Sequence, residues 1–413
     1  MVGLILFLLA LAFFLRIDFV FYIIYVCLGV YAWSRWYTPR AFNRLAAARS
    51  YSQRAFFGET VTVTLRIRND NRLAMPWVQV NESVATQLRQ TQVVSDVVSL
   101  AAWDTAELAY QIKAARRGYY QIGPLRLTSS DLFGLLPEQY GILPADYLTI
   151  YPRIIPLAKL GLPSRLPFGT IASRQRLFED PARPMGVREY RSGDSLRQIN
   201  WKVSAHTRDL VVKTLQPAIS LETAVLLNLH TPDYRRRDRQ TYVEWAIQLA
   251  ASLAAHLVDQ RQAVGLLTNG IDPLVGQAGG PRFDEASGRL LLDETAAAPL
   301  PPPIPPRNGR AHLMKILERL ARIEGGETVA LADWVGAAST GLSWGVTILA
   351  ITPRGDERTC HSLHRLVRAG FNPVLMVVEP DANFGEVRQR ARRLGFVAYH
   401  VAAERDLGRW KRP

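Results

Sequence analysis

Cysteine is almost absent from this chain: Cys27 and Cys360 are the two it has in 413 residues. One falls in an apolar stretch and the other at the head of a helix pattern. Neither a disulfide framework nor a cysteine-based metal cluster is expected. Lysine is scarce as well, six of the fifty basic residues. The net charge of +14 is therefore carried by arginine, an excess that coding composition produces as readily as function does. Short chemical signatures are missing too. The chain has no Walker A loop, no G-x-S-x-G elbow, no H-E-x-x-H helix and no G-x-G-x-x-G after a strand, which removes the direct routes to several enzyme classes. No zinc-finger spacing, RRM-type aromatic motif or helix-turn-helix accompanies the basic charge, so specific nucleic-acid recognition is not expected.

A single long apolar run is also lacking. Val2–Leu15 and Phe19–Ala32 are uncharged, but Arg16 and Asp18 divide them. As one helix this stretch would run about 50 Å against a hydrocarbon core of ~30 Å. It would also hold two charges near mid-bilayer. The expectation is a transmembrane hairpin over residues 1–34, two short spans joined by Arg-Ile-Asp, with Trp33, Trp36 and Tyr37 as interface anchors. A cleaved signal peptide is the competing reading, without a basic n-region or small-x-small site to support it. Arg35, Arg40, Arg44, Arg49 and Arg54 follow in a basic juxtamembrane segment, residues 35–53. The positive-inside rule then places the bulk of the chain on the cytoplasmic side of the inner membrane, with the bilayer itself as one partner.

What is present next is β patterning. Thr60–Arg68 alternates polar and apolar residues, and Trp77–Val80, Gln92–Leu100, Thr105–Ala114, Leu125–Thr128 and Leu148–Tyr151 are further candidate strands. Short strands with turn signals between them predict an antiparallel β-sandwich over residues 54–155. Pro152, Pro156, Pro163 and Pro167 punctuate a linker, and residues 156–222 form a connecting segment. From residue 223 to 413 strands and helices alternate: Ala224–Leu229, Tyr242–Gln260, Ala263–Thr268, Ala311–Arg322, Val346–Ile351, Cys360–Ala369, Pro373–Val378, Gly385–Leu394 and Val397–Val401. That alternation predicts an α/β, doubly wound sheet with helices on both faces. A Pro-rich insert near 299–308 interrupts it and reads as a stiff surface connection or, less simply, a polyproline ligand.

The densest stretch is Val187–Leu215, VREYRSGDSLRQINWKVSAHTRDLVVKTL. It places Arg188, Glu189, Arg191, Gly193, Asp194, Arg197, Trp201 and Arg208 in one short segment. Gly193-Asp194 reads as a turn into a helix capped by Asp194, with Leu196, Ile199 and Val203 inward and Trp201 as an anchor against the sheet domain. Its arginines suit either an internal knot with Glu189 and Asp194 or an acidic partner. His206 stands near Asp209, but no nucleophile accompanies them. A second basic run, Arg235-Arg236-Arg237, precedes the helix that starts near Tyr242, where the macrodipole does not favour cations. It is a solvated loop or a rim attracting acidic surface or phosphate.

This stretch resembles the signature of the bacterial domain-of-unknown-function 58 family. Arg117-Gly-Tyr-Tyr-Gln-Ile-Gly-Pro124 and Asp131-Leu-Phe-Gly134 resemble the β-domain that precedes it there. The resemblance implies a membrane hairpin, a β-domain and a von Willebrand factor A-like domain, and association with MoxR-type AAA+ ATPases. Such A-like domains often hold a divalent cation through Asp-x-Ser-x-Ser. Here Asn228, His230 and Pro232 occupy those positions, Asp233 lies one residue beyond, and Ile351-Thr352-Pro353 follows the later strand. Neutral Asn adds no charge and Pro has no ligand atom, so a degenerate site is expected, with no cofactor; Mg²⁺ would be the ion if one bound. The function implied is a membrane-anchored, cytoplasm-facing scaffold without catalysis. A membrane-associated enzyme and an anionic-lipid or nucleic-acid binder using the Arg-rich rim stand as alternatives.

Overall fold

The computed structural model describes residues 18–407 other than 86–87, 89–93, 158–178, 192–198, 218–221, 276–282 and 284–298. The chain forms two compact units, the first built on the chain up to Arg153 with two later segments, the second on most of the chain from Ile154.

The first unit opens with α1 (Asp18–Phe42) and continues as β1 (Leu45–Ser50), β2 (Arg54–Ala55), β3 (Thr60–Asn69), β4 (Met75–Val84), β5 (Val94–Leu100), β6 (Thr105–Lys113), β7 (Gly118–Ser129), β8 (Gln139–Leu143) and β9 (Asp146–Ile150). Alternation in β3 buries Val61, Val63, Leu65 and Ile67 on one face, the period-2 signature of a half-buried strand. It is the centre of the antiparallel sheet β1-β3-β6, with Thr60 opposite Lys113 and Arg68 opposite Thr105. The second sheet runs β2-β9-β7-β4-β5, with β8 also on β7 and the β2–β9 pair parallel. Inward residues of both sheets, among them Val63, Leu65, Val80, Ile112, Tyr120 and Ile122, form one core. Arg49 of β1 pairs with Glu82 of β4 inside it, both side chains buried, and also reaches Asp146 at 3.1 Å. Gly123 adopts φ +88° there, and a Cβ would overlap the Arg49 guanidinium, so both backbone and space require glycine.

The expected pair of N-terminal spans is overturned. Helix α1 continues past Ala32 to Phe42 and carries Arg35, Pro39 and Arg40. Its uncharged part, Phe19–Ala32, covers only about 20 Å, short of a ~30 Å core. Its later turns are committed to the sandwich instead: Ala41 is buried, and the Tyr37 hydroxyl donates to the Ala74 carbonyl. Among the described residues no helix is long and apolar enough to cross a membrane. The other expected span, Val2–Leu15, lies outside the described residues.

In the second unit β10 (Glu179–Glu189), α2 (Trp201–Thr207) and β11 (Val211–Pro217) make a two-stranded antiparallel hairpin with its own short helix. There follow in the chain β12 (Glu222–Leu227), α3 (Arg239–Asp259), β13 (Ala263–Thr268), β14 (Ile304–Arg307), α4 (Arg310–Arg322), whose residues from Leu317 on are counted with the first unit, α5 (Leu331–Ser339), β15 (Thr347–Thr352), α6 (Glu357–Arg368), β16 (Asn372–Val377), α7 (Phe384–Arg393), β17 (Val397–His400) and α8 (Glu404–Leu407). The six strands run β14-β13-β12-β15-β16-β17. All neighbours are parallel except β14, which is antiparallel to β13. The sheet is therefore mixed. Its central strands are buried along their length, as β12 and β15 show, which explains why they read as unbroken apolar runs. On one face Leu331, Val335, Cys360, Leu363 and Val387 of α5, α6 and α7 pack on Ala224, Leu226, Ile348, Ala350 and Leu375. Helix α3 packs on β12, β13 and β15, taking the alternate side chains of the opposite face.

The Pro-rich run is not simply a surface connection. Ile304–Arg307 forms the edge strand, opposite Val264 and Leu266. Pro305 and Pro306 supply no N–H, and an edge is where a sheet tolerates that. A Cβ on Gly265 would lie 2.7 Å from the Ile304 carbonyl oxygen and 2.9 Å from the Pro306 nitrogen. Glycine is what lets the proline strand approach.

Candidate functional site

Three groups of residues singled out by sequence lie in the second unit. In the hairpin, Glu189 faces Val211 and Arg188 faces Val212. Arg188, Glu189 and Arg191 are exposed, as is Arg208. Gly193, Asp194, Arg197 and Leu196 lie outside the described residues. The expected inward anchor is corrected: Trp201 is 66% exposed. Helix α2 begins at Trp201 with Asn200 as its cap, the Asn200 side chain accepting from the Val203 N–H. Ser204, not the tryptophan, holds it down. Its hydroxyl accepts from the Val211 N–H at 2.9 Å, and Ile199 is buried beside it in a bridge to Val212. Arg208 closes the helix in the left-handed region at φ 63°. His206 is exposed on α2. Val187 and Leu210 are exposed as well, so the hairpin presents apolar and cationic groups together.

The loop after β12 holds the degenerate cation positions. Asn228 is buried and its side-chain amide makes three hydrogen bonds. Its Nδ2 donates to Asp233 at 2.8 Å, and its Oδ1 accepts from Asn269 at 2.8 Å and from the His230 N–H at 3.1 Å. Asn269 in turn accepts from the Leu229 N–H at 2.7 Å and donates to the Val329 carbonyl at 2.9 Å. The Tyr234 hydroxyl donates to the Asn228 carbonyl at 2.7 Å. Burial, with the nearby Glu379 and Asp233 carboxylates, pushes that phenol well above its ordinary pKa and keeps it a donor. His230 leaves Nδ1 buried without a hydrogen-bond partner among the described residues. Pro232 sits in a short 3₁₀ turn, Thr231–Asp233. This arrangement does not fit Mg²⁺, because the oxygens a hard cation needs are bonded to amides instead. Among the described residues no group of three or more His, Cys, Asp or Glu is placed to hold a metal.

The basic run resolves into two parts. Arg236 and Arg237 are exposed ahead of α3. Arg235 belongs to a crevice of about 230 Å³ at the C-terminal edge of the sheet, lined also by Arg354, Glu379 and Arg390. Glu379, at the end of β16, is buried. Its Oε1 accepts from the Arg235 N–H at 2.7 Å, and its Oε2 accepts from Arg354 Nε at 3.0 Å. The Arg235 Nε lies 3.7 Å from the same oxygen. A buried carboxylate needs such partners. Arg390 donates to the Gly355 carbonyl at 3.2 Å, and a Cβ on Gly355 would overlap Val387. Sequence reading found Arg235 but missed Glu379 and Arg354. The available signal was Glu379 standing just past an apolar strand end, where α/β sheets bind ligands.

Comparison with known proteins bears on one part of this unit. Residues 186–275 match the family described as "Protein of unknown function DUF58". The DUF58 stretch covers the hairpin from Gly186, the Asn228 network and Arg235, and ends beyond β13. No curated protein matches the chain. Among solved structures, a CARDB domain from Pyrococcus furiosus in complex with di-metal ions is 13% identical over 26% of this chain and 86% of its own, with TM-score 0.20. A β-glucosidase from Listeria innocua in complex with isofagomine is 13% identical over 26% of this chain and 16% of its own, with TM-score 0.17. The C-terminal domain of wzt is 6% identical over 27% of this chain and 75% of its own, with TM-score 0.18. At these scores the likenesses carry no argument about fold or activity.

Proposed function

We propose that this chain is an interaction protein, a scaffold or adaptor that binds a protein partner and performs no catalysis of its own. The observation that carries the reading is the hairpin segment within the DUF58 stretch: Trp201 is 66% exposed, and Arg188, Arg191 and Arg208 of the same segment are exposed as well. Exposed apolar groups rimmed by charge mark contact surfaces, and tryptophan and arginine dominate the energetics of such contacts. The family resemblance names the partner, a MoxR-type AAA+ ATPase, and a von Willebrand factor A-like identity for the α/β unit. The doubly wound order around β12 supports that identity. The test is retention of a purified MoxR-type ATPase by the immobilised full chain. Trp201→Ala and Arg191→Glu are expected to lower retention at least about fivefold; undiminished retention by both removes the hairpin from the interface.

A second reading concerns location. Attachment to the cytoplasmic face of the inner membrane without spanning it is favoured by the exposed Phe19, Tyr22, Tyr25 and Val26 of α1 and by the +14 charge, which an anionic leaflet attracts. Co-sedimentation with phosphatidylglycerol vesicles that disappears on adding salt supports it, and no co-sedimentation at low salt refutes it.

A further inference from the structure

We propose that the tip of the β7–β8 hairpin and the facing turns of α1 form a lipid-inserting site, which enters an anionic bilayer surface and takes one acyl chain between them. What the tip exposes is the first reason. Strands β7 and β8 pair from Leu125–Leu143 to Ser129–Gln139, and the turn that joins them presents Leu132 and Phe133, 68% and 63% exposed. Tyr140 and Ile142 of β8 are exposed too. They lie opposite Thr128 and Arg126, so an exposed arginine shares their face. A single exposed apolar residue is ordinary, whereas several on one hairpin mark a contact surface.

The second reason is how the tip is held and what it faces. Asp131 is buried at its base. Its Oδ1 accepts from the Leu136 N–H at 2.8 Å, and its Oδ2 from the Phe133 and Leu135 N–H groups at 3.1 Å each. Gly134 turns the chain at φ +65°. Three backbone donors of the turn are thus satisfied within it, which entry into an apolar medium requires. Opposite stand Trp33 and Tyr37 of α1, their rings stacked 5.7 Å apart. With Met75, Pro76, Leu132 and Phe133 these rings line a cavity of about 280 Å³. Pockets for whole small molecules begin near 300 Å³, so this one suits a stretch of acyl chain.

The third reason selects lipid as the occupant. Tryptophan and tyrosine beside apolar side chains are the composition of a membrane–water interface. Charge points the same way. From Phe19 to Phe42 helix α1 carries Arg35 and Arg40 and no acidic residue, and both arginines are exposed. The Arg40 guanidinium lies 5.2 Å from the Trp36 ring centre. The hairpin adds Arg126. Its carboxylates are Asp131, bonded within the turn, and Glu138, which accepts from the Tyr140 hydroxyl at 2.9 Å. A cationic rim of this kind attracts the phosphates of an anionic leaflet, and the apolar tip need enter only about 5–10 Å.

The proposal rests on the surface-attachment reading in taking a bilayer as the target, and one experiment separates the two. A polarity-sensitive dye is placed on Phe133→Cys in the full chain, with Cys27→Ser added; Cys360 is buried and shielded from the label. The probes are vesicles of phosphatidylglycerol, of phosphatidylcholine, and of phosphatidylglycerol doped with lipids carrying a doxyl group on one acyl chain. On phosphatidylglycerol the dye emission should shift to the blue. A doxyl near the glycerol end should quench it more than one near the chain end. The double variant Leu132→Ser with Phe133→Ser, checked for folding by circular dichroism, should partition at least about tenfold more weakly. Phosphatidylcholine vesicles should bind the parent at least about tenfold more weakly than phosphatidylglycerol. Sedimentation with vesicles while the dye stays unshifted overturns this proposal and leaves attachment through α1 standing; no sedimentation overturns both. Unchanged partition of the double variant or equal partition into the two lipids overturns it as well. So does a blue shift that grows with protein concentration without vesicles, which would make the tip a contact between copies of this chain. The dye reading decides the matter even where the double variant fails to fold.

Discussion

Glu379 accepts a hydrogen bond from Nε of Arg354 at 3.0 Å, joining the ends of β16 and β15 across the top of the sheet. The carboxylate is buried and also accepts the Arg235 N–H, so one side chain ties down two loops. Glu379→Gln keeps the shape but loses the charge that both guanidiniums face. It should lower stability by about 1–3 kcal/mol, read as a reduced urea midpoint with an unchanged slope.

Asn228 offers a test of the degenerate cation loop. Asn228→Asp restores the acidic residue but replaces a donor to Asp233 with a second carboxylate at hydrogen-bonding range. The variant should be about 1–3 kcal/mol less stable than the parent. Neither protein should show a thermal shift on adding millimolar Mg²⁺ or Mn²⁺. A clear stabilisation of the parent by either ion contradicts the account of this loop.

Gly265 is the spacer under the proline edge strand. Gly265→Ala pushes against the Ile304 carbonyl and Pro306, and should cost about 1–3 kcal/mol. Hydrogen exchange should accelerate at the paired residues of β13 while that at β16 stays unchanged.

Acid sensitivity has two named sources. Burial opposes ionisation of Asp131, but the N–H groups of Leu136, Leu135 and Phe133 and the Ser130 hydroxyl outweigh it and hold its pKa below the ordinary 3.8. Burial of His256 lowers its pKa below the ordinary 6.5, with Asp259 opposing. In both cases the unfolded chain binds the proton more readily, so stability falls as pH falls. The His256 contribution is lost on acidification below about 6.5, and the Asp131 contribution below about 3.8. His256→Leu should flatten the upper part of that profile, and Asp131→Asn the lower part.

Much of the α/β unit was legible because its strands are short, apolar and punctuated: Ala263–Thr268 was expected at the bounds β13 has. The same logic located β3, where every second residue turns inward. The N-terminal helix was misread because its uncharged residues look like a span, while the contacts that draw Tyr37 and Ala41 onto the sandwich come from distant strands. The proline run was misread because local preference favours an extended surface segment, and only Gly265 on another strand makes an edge strand of it. The crevice was only partly legible. Arg235 and Glu379 meet across 144 residues, and nothing in the local pattern of either announces the other.

The central claim is that the exposed hairpin binds a protein. The most direct measurement is the affinity of the full chain for a purified MoxR-type ATPase by interferometry, compared with the Trp201→Ala variant. Loss of about 2 kcal/mol, roughly thirtyfold in Kd, is the predicted result for a central tryptophan. Equal affinity of the two proteins, or no binding by the parent at micromolar concentration, would contradict it.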